Sequence, residues 1–383
     1  MKQRETIYMA QKKSGRMLSQ DIAKGMCMIF VVIFHIQVFF NDVLSANAYR
    51  VFGLFATYLM LFFFFIVGYN YKLGKRTIRE NIRNRFRQIF RPFLEYSAGM
   101  TVLIGGYLLL VKKATLKQIV MTYLRFILSV PLMESILGQY WDIANPVHVA
   151  ISPGWFLVQT LAAGCLFYAI ADYALKKRTR TVSIIVALLL SAFMLNHFVP
   201  VPLPWNCQNT PLITAIILCG AMFGQEKLLA GPSDNSRDRM LTVLNVITAQ
   251  GIVTMIEFIW PMSGTLAGGC LSAEYGAIDI IPSFILAVCG AYVMVNLGKL
   301  LEKIPLVRDG LLWLGYRTLP ILLVHKGFGY LIGDIFGLLR DGEPGTGTLS
   351  NGRIITVLDF AAMILYLIIW EVIKKKLAKR KKA

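Results

Sequence analysis

The sequence predicts an all-α protein, a polytopic bundle of about ten transmembrane helices with both termini cytoplasmic. Three observations predict it. Of 383 residues, 56% are hydrophobic and only 16% charged, where a soluble domain carries about 25% charged residues; mean hydropathy is +0.59. Apolar runs of roughly 18 residues or more, long enough to cross a bilayer, recur from one end of the chain to the other. The 40 Lys and Arg, set against 21 Asp and Glu, gather in alternate connections, the bias of cytoplasmic loops. A soluble enzyme, a disordered protein and a secreted disulfide scaffold are excluded. Loop bias also accounts for the net charge of +19 without nucleic acid as a partner.

Ten spans are expected: Ile22–Phe40, Val51–Gly68, Phe93–Val111, Pro153–Tyr173, Val182–Val199, Pro211–Gly224, Leu241–Trp260, Ile278–Leu297, Leu311–Ile332 and Ile354–Ile373. Each must be helical in lipid, where only a helix satisfies its own backbone hydrogen bonds. The sixth is short, and Ile119–Leu137, interrupted by Arg125 and Pro131, is an eleventh candidate. Orientation decides both. Ten spans place thirty of the 40 Lys and Arg inside, eight of them between Tyr69 and Pro92 and seven after Ile373. Adding Ile119–Leu137 or deleting the sixth span would put the lysine-rich tail outside. Ile119–Leu137 is therefore expected as an amphipathic helix on the outer surface, covering the bundle or gating a substrate.

The basic start, an apolar stretch and Ala46-Asn47-Ala48 imitate a cleavable signal peptide. The basic region is long for one, so the segment is taken as an uncleaved first helix. The chain is expected to be one integral membrane domain over residues 1–383, with basic ends at 1–20 and 374–383. Its localisation is expected to be the cell membrane, inner or plasma, as a multi-pass protein. Six cysteines are scattered without metal-type spacing, and no metal is expected. Only Cys207 and Cys270, in loops placed outside, are candidates to pair.

Ionisable groups inside spans are functional candidates by default. The first helix holds Asp21, Lys24 and His35. Lys24 and His35 return to nearly one face after three turns, about 16 Å apart along the axis, and Asp21 shares that face at i, i+3. A cation at the cytoplasmic mouth with an imidazole deep on the same stripe suits a ligand with an anionic head and a buried reactive end. The bland alternative is a snorkelling Lys24 and a His35 bonded to a neighbouring helix. The basic loop (Lys72, Lys75, Arg76, Arg79, Arg83, Arg85, Arg87, Arg91) either obeys the charge bias, binds lipid headgroups or holds a polyphosphate. Trp155 opens span four after Pro153-Gly154, as a belt anchor or beside an accessible backbone. Glu257, His325 and Lys326 are expected in the outer half with His35, Lys326 and Glu257 as a possible buried pair. His148 and His197, near loop ends, are assigned nothing.

These landmarks resemble the acyltransferase-3 family of membrane acyltransferases. Asp21-Ile-Ala-Lys24-Gly25, leading to Val31-Val32-Ile33-Phe34-His35, is similar to its first helix, with Arg or Lys, ten residues, then His. Phe62-Phe63-Phe64-Phe65-Ile66-Val67-Gly68-Tyr69 resembles its second-helix ending, with Val67 where Ser is usual. The basic run closing in Arg91-Pro92-Phe93-Leu94 resembles its arginine loop, although the paired RxxR spacing falls at Arg76 and Arg79, further from the proline. Trp155-Phe156-Leu157 and Gly315…His325 match its later motifs.

The resemblance implies transfer of an acyl group, expected to be acetyl, from cytoplasmic acyl-CoA to a hydroxyl of a cell-surface polysaccharide or related acceptor of the cell envelope. Acetyl-CoA is the implied donor, and acyl-CoA, a glycan and membrane lipids are the partners. Asp21, Lys24 and His35 would form the catalytic set, and Lys24, Arg76, Arg79, Arg85, Arg87 and Trp155 would bind the donor. His35 would act as general base or carry the acyl group. His325, Glu257 and Lys326 are acceptor-side candidates. A pantetheine arm, about 15–20 Å when extended, reaches from Lys24 toward His35. The rival is a transporter or flippase of a lipid-linked sugar or acylated glycan, which would leave acetyl-CoA intact. A third reading is a non-catalytic export component that tolerates loss of His35.

Overall fold

A backbone in lipid has only itself for hydrogen bonding, and the computed structural model is helical accordingly. It describes residues 17–111, 113–121, 124, 154–199, 203–229, 236–259, 277–340 and 347–380, which contain no strand. Among the described residues the main helices, in order, are α1 Leu18–His35, α2 Ala46–Tyr69, α3 Ile78–Leu110, α4 Gly154–Ala174, α5 Arg178–Phe198, α6 Thr210–Gln225, α7 Ser236–Ile259, α8 Ile280–Leu301, α9 Pro305–Gly315, α10 Thr318–Ile335 and α11 Leu349–Arg380. Among the described residues, nine segments are long and apolar enough to cross a membrane. The short sixth span gains length from the 3-10 turn Pro204–Asn209, so that Cys207–Gln225 qualifies as a span.

Two elements differ from the sequence expectation. The ninth span is two helices, α9 and α10, separated at Tyr316 and Arg317. Pro320 has no N–H to offer the carbonyl of residue 316, and a proline is well placed in the first turn of a helix. The helix therefore stops at Gly315 and restarts at Thr318, with the Arg317 guanidinium donating to the Trp313 carbonyl at 3.0 Å. α10 has 18 residues, roughly 27 Å, and His325-Lys326 at its middle lowers its hydropathy. Second, most of the expected basic loop is helix. α3 begins at Ile78 behind a capping box, in which Thr77 N–H donates to Glu80 Oε2 at 2.9 Å and Glu80 N–H to Thr77 Oγ1 at 3.3 Å. It then runs through Pro92. The preceding turn needs Gly74, whose φ of 69° is left-handed.

The chain forms two compact units: Met1–Phe30, Arg50–Phe86 and Val158–Thr318; and Val31–Tyr49, Arg87–Leu157 and Leu319–Ala383. In the first, helices meet backbone to backbone at glycines. A Cβ on Gly68 would strike the Ile217 carbonyl, and one on Gly220 the Phe65 carbonyl, so α2 and α6 are in direct contact. Gly25 lies on the Leu311 carbonyl and Gly315 on that of Asp21, pinning α1 to α9. Leu18, Ile22, Leu311 and Leu312 seal that seam. In the second unit, a Cβ on Gly329 would meet Ile36 Cδ1 at 2.8 Å and Phe40 at 2.9 Å. Tyr366 stacks on Trp370, 6.3 Å between centroids, and packs edge-on to Phe328 at 5.5 Å.

Residues 116–121 and 124 are helical. Most of Ile119–Leu137, and with it the expected surface placement, lies outside the described residues, as do Arg125, His148 and Cys270 and so its pairing with Cys207.

Candidate active site

His35 is the last residue of α1. In the second unit its Nδ1 lies 2.8 Å from the Val31 carbonyl, one turn back. His325 repeats the arrangement on α10, its Nδ1 3.0 Å from the Ile321 carbonyl. The two imidazoles then meet, His325 Nε2 lying 3.0 Å from His35 Nδ1, with ring centroids 4.7 Å apart. A carbonyl can only accept, so each Nδ1 carries the hydrogen. His325 Nε2 is then an acceptor that shares the His35 Nδ1 hydrogen. The tautomer assigned by these partners puts the basic lone pair of His35 on Nε2. His325 is 0% and Lys326 7% exposed. A buried imidazole and ammonium thus gather with the half-buried His35 ring in one unit, and His35 is indeed bonded to a neighbouring helix, through a second imidazole.

Directly after His35 the chain winds one π-helical turn, Ile36–Phe40, and leaves it extended at Asn41. Such turns are rare and recur at functional sites. This one is held from both sides. Gln37 Oε1 accepts from the Val43 and Leu44 N–H groups at 2.7 and 2.8 Å, and its amide donates to Asp42 at 2.8 Å. Arg340, beyond α10, donates to the Gln37 carbonyl at 3.1 Å and to Asp42 at 3.0 Å. Its own N–H reaches the Phe40 carbonyl at 3.1 Å. The Asn41 amide donates to the Leu338 carbonyl and accepts from Thr348 N–H. The helix bearing His325 and the turn following His35 are thereby latched at two levels. None of these latch residues is marked by a local motif; Asp42 and Arg340 are separated by 298 positions.

In the first unit, Lys24 Nζ lies 3.0 Å from Asp21 Oδ1, as the i, i+3 spacing predicts, with side chains 17% and 0% exposed. A carboxylate buried so fully needs such a partner. Arg76, on the turn before α3, is exposed, as are Arg79, Arg83, Arg87 and Arg91 at four-residue spacing along one face of α3. Arg85 lies on another face, with Nε buried. The structure therefore divides the arginines that the sequence grouped together. Within the second unit Arg91 pairs with Glu95 at 2.7 Å, a carboxylate that Lys374 also reaches at 2.7 Å. Trp155 stands in the first turn of α4. Glu257, on α7, and Lys326 belong to different units.

Two polar features of the second unit went unnoticed in the sequence. Asp334 accepts from Tyr107 at 2.8 Å and from Lys113 at 2.7 Å. Asp359 on α11 is 0% exposed, and neither carboxylate oxygen has a hydrogen-bond partner among the described residues. A signal for Asp359 existed, since it is the sole charge in the run Ile354–Ile369 and an ionisable group in a span is a candidate by default.

A family model described as an acyltransferase domain matches residues 18–373. No curated protein matches the chain, and no solved structure does.

Proposed function

Since the chain belongs to the acyltransferase-3 family over residues 18–373 and is on that ground a multi-pass membrane acyltransferase, we propose that it transfers an acetyl group from acetyl-CoA to a hydroxyl of a cell-envelope glycan. The observation that carries the reading is the His35–His325 contact at 3.0 Å, with each Nδ1 also against a carbonyl one turn back. It supports His35 as general base. His35 Nε2 takes the proton of the acceptor hydroxyl as its oxygen attacks the thioester carbonyl. The carbon–sulfur bond then breaks, and the proton passes to the departing thiolate, releasing CoA thiol. The His35 Nδ1–H bond to the Val31 carbonyl and His325 holds the ring in this tautomer and steadies the imidazolium as it forms.

Lys24, kept in place by Asp21, and the exposed arginines Arg76, Arg79 and Arg87 serve the donor's phosphates, with Arg guanidinium forks suited to that task. Trp155 borders the donor. Lys326, Glu257 and His325 remain on the acceptor side. Lipids bathe the apolar faces, and the cytoplasmic surface is taken to be the one bearing the α2–α3 turn.

The test uses protein in nanodiscs with acetyl-labelled acetyl-CoA and a panel of glycan acceptors, following thiol release and label transfer. Both should vanish in His35→Ala. Label retained on wild type and absent from His35→Ala would replace the general base with an acyl-enzyme. Wild type that leaves acetyl-CoA intact, with cellular glycan acylation unchanged in His35→Ala, would remove the acetyl transfer and favour transport.

A further inference from the structure

The turn after α2 and the end of α4 build a second cluster inside the first unit, to which only Arg85 brings a role already assigned. Tyr71 donates to Asp172 Oδ1 at 2.9 Å. Its ring lies 5.0 Å from that of Phe167 and 6.1 Å from that of Tyr168. Phe167 is buried whereas Tyr71 and Tyr168 are half-buried, so two phenol rings are presented on an apolar base. Arg85 reaches the same place from α3. A Cβ on Gly164 would stand 3.8 Å from the Tyr168 ring and 3.9 Å from the Arg85 stem. Arg85 Nε is buried with no hydrogen-bond partner among the described residues, an arrangement that costs free energy until an acceptor arrives. Burial, and then the Asp172 carboxylate, push the Tyr71 phenol well above its ordinary value, so it remains a protonated donor.

The cluster is continuous with the residues assigned to the donor. Asn70, beside Tyr71, donates to Gln20 at 3.0 Å, and Gln20 adjoins the Asp21–Lys24 pair. A planar surface, a carboxylate acceptor and an unmatched guanidinium donor, next to exposed Lys72, Lys75 and Arg76, match the chemistry of a purine nucleotide. Aromatic stacking recognises the base, the carboxylate an exocyclic amine, and Arg a phosphate.

We propose that Tyr71, Tyr168, Asp172 and Arg85 bind the adenine nucleotide end of the acyl donor. The base stacks on Tyr168, its amine donates to Asp172, and the ribose phosphate accepts from Arg85. The inference rests on acyl-CoA as donor.

Calorimetric binding of acetyl-CoA and of acetyl-pantetheine, which lacks the nucleotide, tests it on the full chain in nanodiscs. Wild type should prefer acetyl-CoA. Tyr168→Ala should weaken acetyl-CoA binding about five- to a hundred-fold, the range for losing a stacked base, and shrink that preference toward one. Tyr168→Phe should keep it, and Arg85→Gln should reduce it. Thermal unfolding of each variant identifies any that fails to fold, and Tyr168→Phe with Arg85→Gln then carry the test. Equal affinity of wild type for both probes, or a preference untouched in a folded Tyr168→Ala or Arg85→Gln, overturns the proposal while leaving acyl transfer intact. Wild type that binds neither probe and releases no thiol overturns the donor reading and this inference together.

Discussion

His325 Nε2 lies 3.0 Å from His35 Nδ1, and the Nδ1 of each ring also lies against a carbonyl one helical turn back. The relationship is asymmetric. In the proposed mechanism His35 uses Nε2 for chemistry, while His325 spends Nε2 on His35. Their substitutions should therefore differ in kind.

His35→Ala should lower acetyl transfer by about 10²–10⁴-fold, the usual contribution of a general base. His325→Leu should cost less, on the order of ten-fold, through a misoriented base. His325→Gln should recover part of that loss, because its amide oxygen can accept the Nδ1 hydrogen. Single-turnover rates of label transfer for the three variants give the ranking. Equal loss in His35→Ala and His325→Leu with no rescue by Gln would make the two imidazoles equal partners and refute the assignment.

Arg340 holds the turn that follows His35, by donating to the Gln37 carbonyl and to Asp42 at 3.1 and 3.0 Å. Arg340→Met should lower kcat about ten-fold or more through displacement of His35. Donor KM should change little, since Arg340 acts through the turn that follows His35. Arg340→Lys should be intermediate, for an ammonium can replace one of the two bonds but not the fork. Steady-state kinetics with acetyl-CoA varied checks the split; a rise in KM alone would deny Arg340 its positioning role.

Gly315 and Gly106 form a matched pair of helix glycines. A Cβ at Gly315 would collide with the Asp21 carbonyl, whereas Gly106 has nothing within 4 Å. Gly315→Ala should destabilise by about 1–3 kcal/mol, the cost of overpacking. Gly106→Ala should be neutral or add about 0.5–1 kcal/mol from backbone entropy. Thermal unfolding in detergent measures both, and a Gly315→Ala midpoint equal to wild type would argue against the α1–α9 seam.

Asp21 is fully buried and Lys24 is 17% exposed. Lys24→Met should therefore be the more damaging fold variant, because it leaves the fully buried carboxylate without its ammonium, whereas Asp21→Ala leaves a partly exposed ammonium. Lys24→Met keeps the apolar stem and should also weaken donor binding, about ten-fold. Unfolding midpoints alongside acetyl-CoA calorimetry separate the two effects. Lys24→Met with unaltered donor affinity would leave Lys24 a structural residue.

The spans were legible because crossing a bilayer is a property of length and apolarity, both local to a segment. The same locality made Asp21–Lys24 legible, since i, i+3 on a helix is geometry within one element. The break at Tyr316 and Arg317 was written in Pro320 but lay hidden within an apolar run. Arg85 was grouped with its neighbours because spacing in a presumed loop says nothing of facing. Once Thr77 and Glu80 start a helix at Ile78, Arg85 turns inward while Arg79, Arg83 and Arg87 remain exposed.

By itself, then, the sequence determined the all-helical membrane class, the family and the placement of Lys24 and His35 on one helix. The tertiary structure alone decided that His35 meets a ring 290 positions away and that Asn41 is latched to Leu338 and Thr348. The reason is physical. Which faces of two helices touch depends on where glycines allow close approach and on which polar groups find each other in the interior. Neither is encoded in any stretch shorter than the chain that joins them.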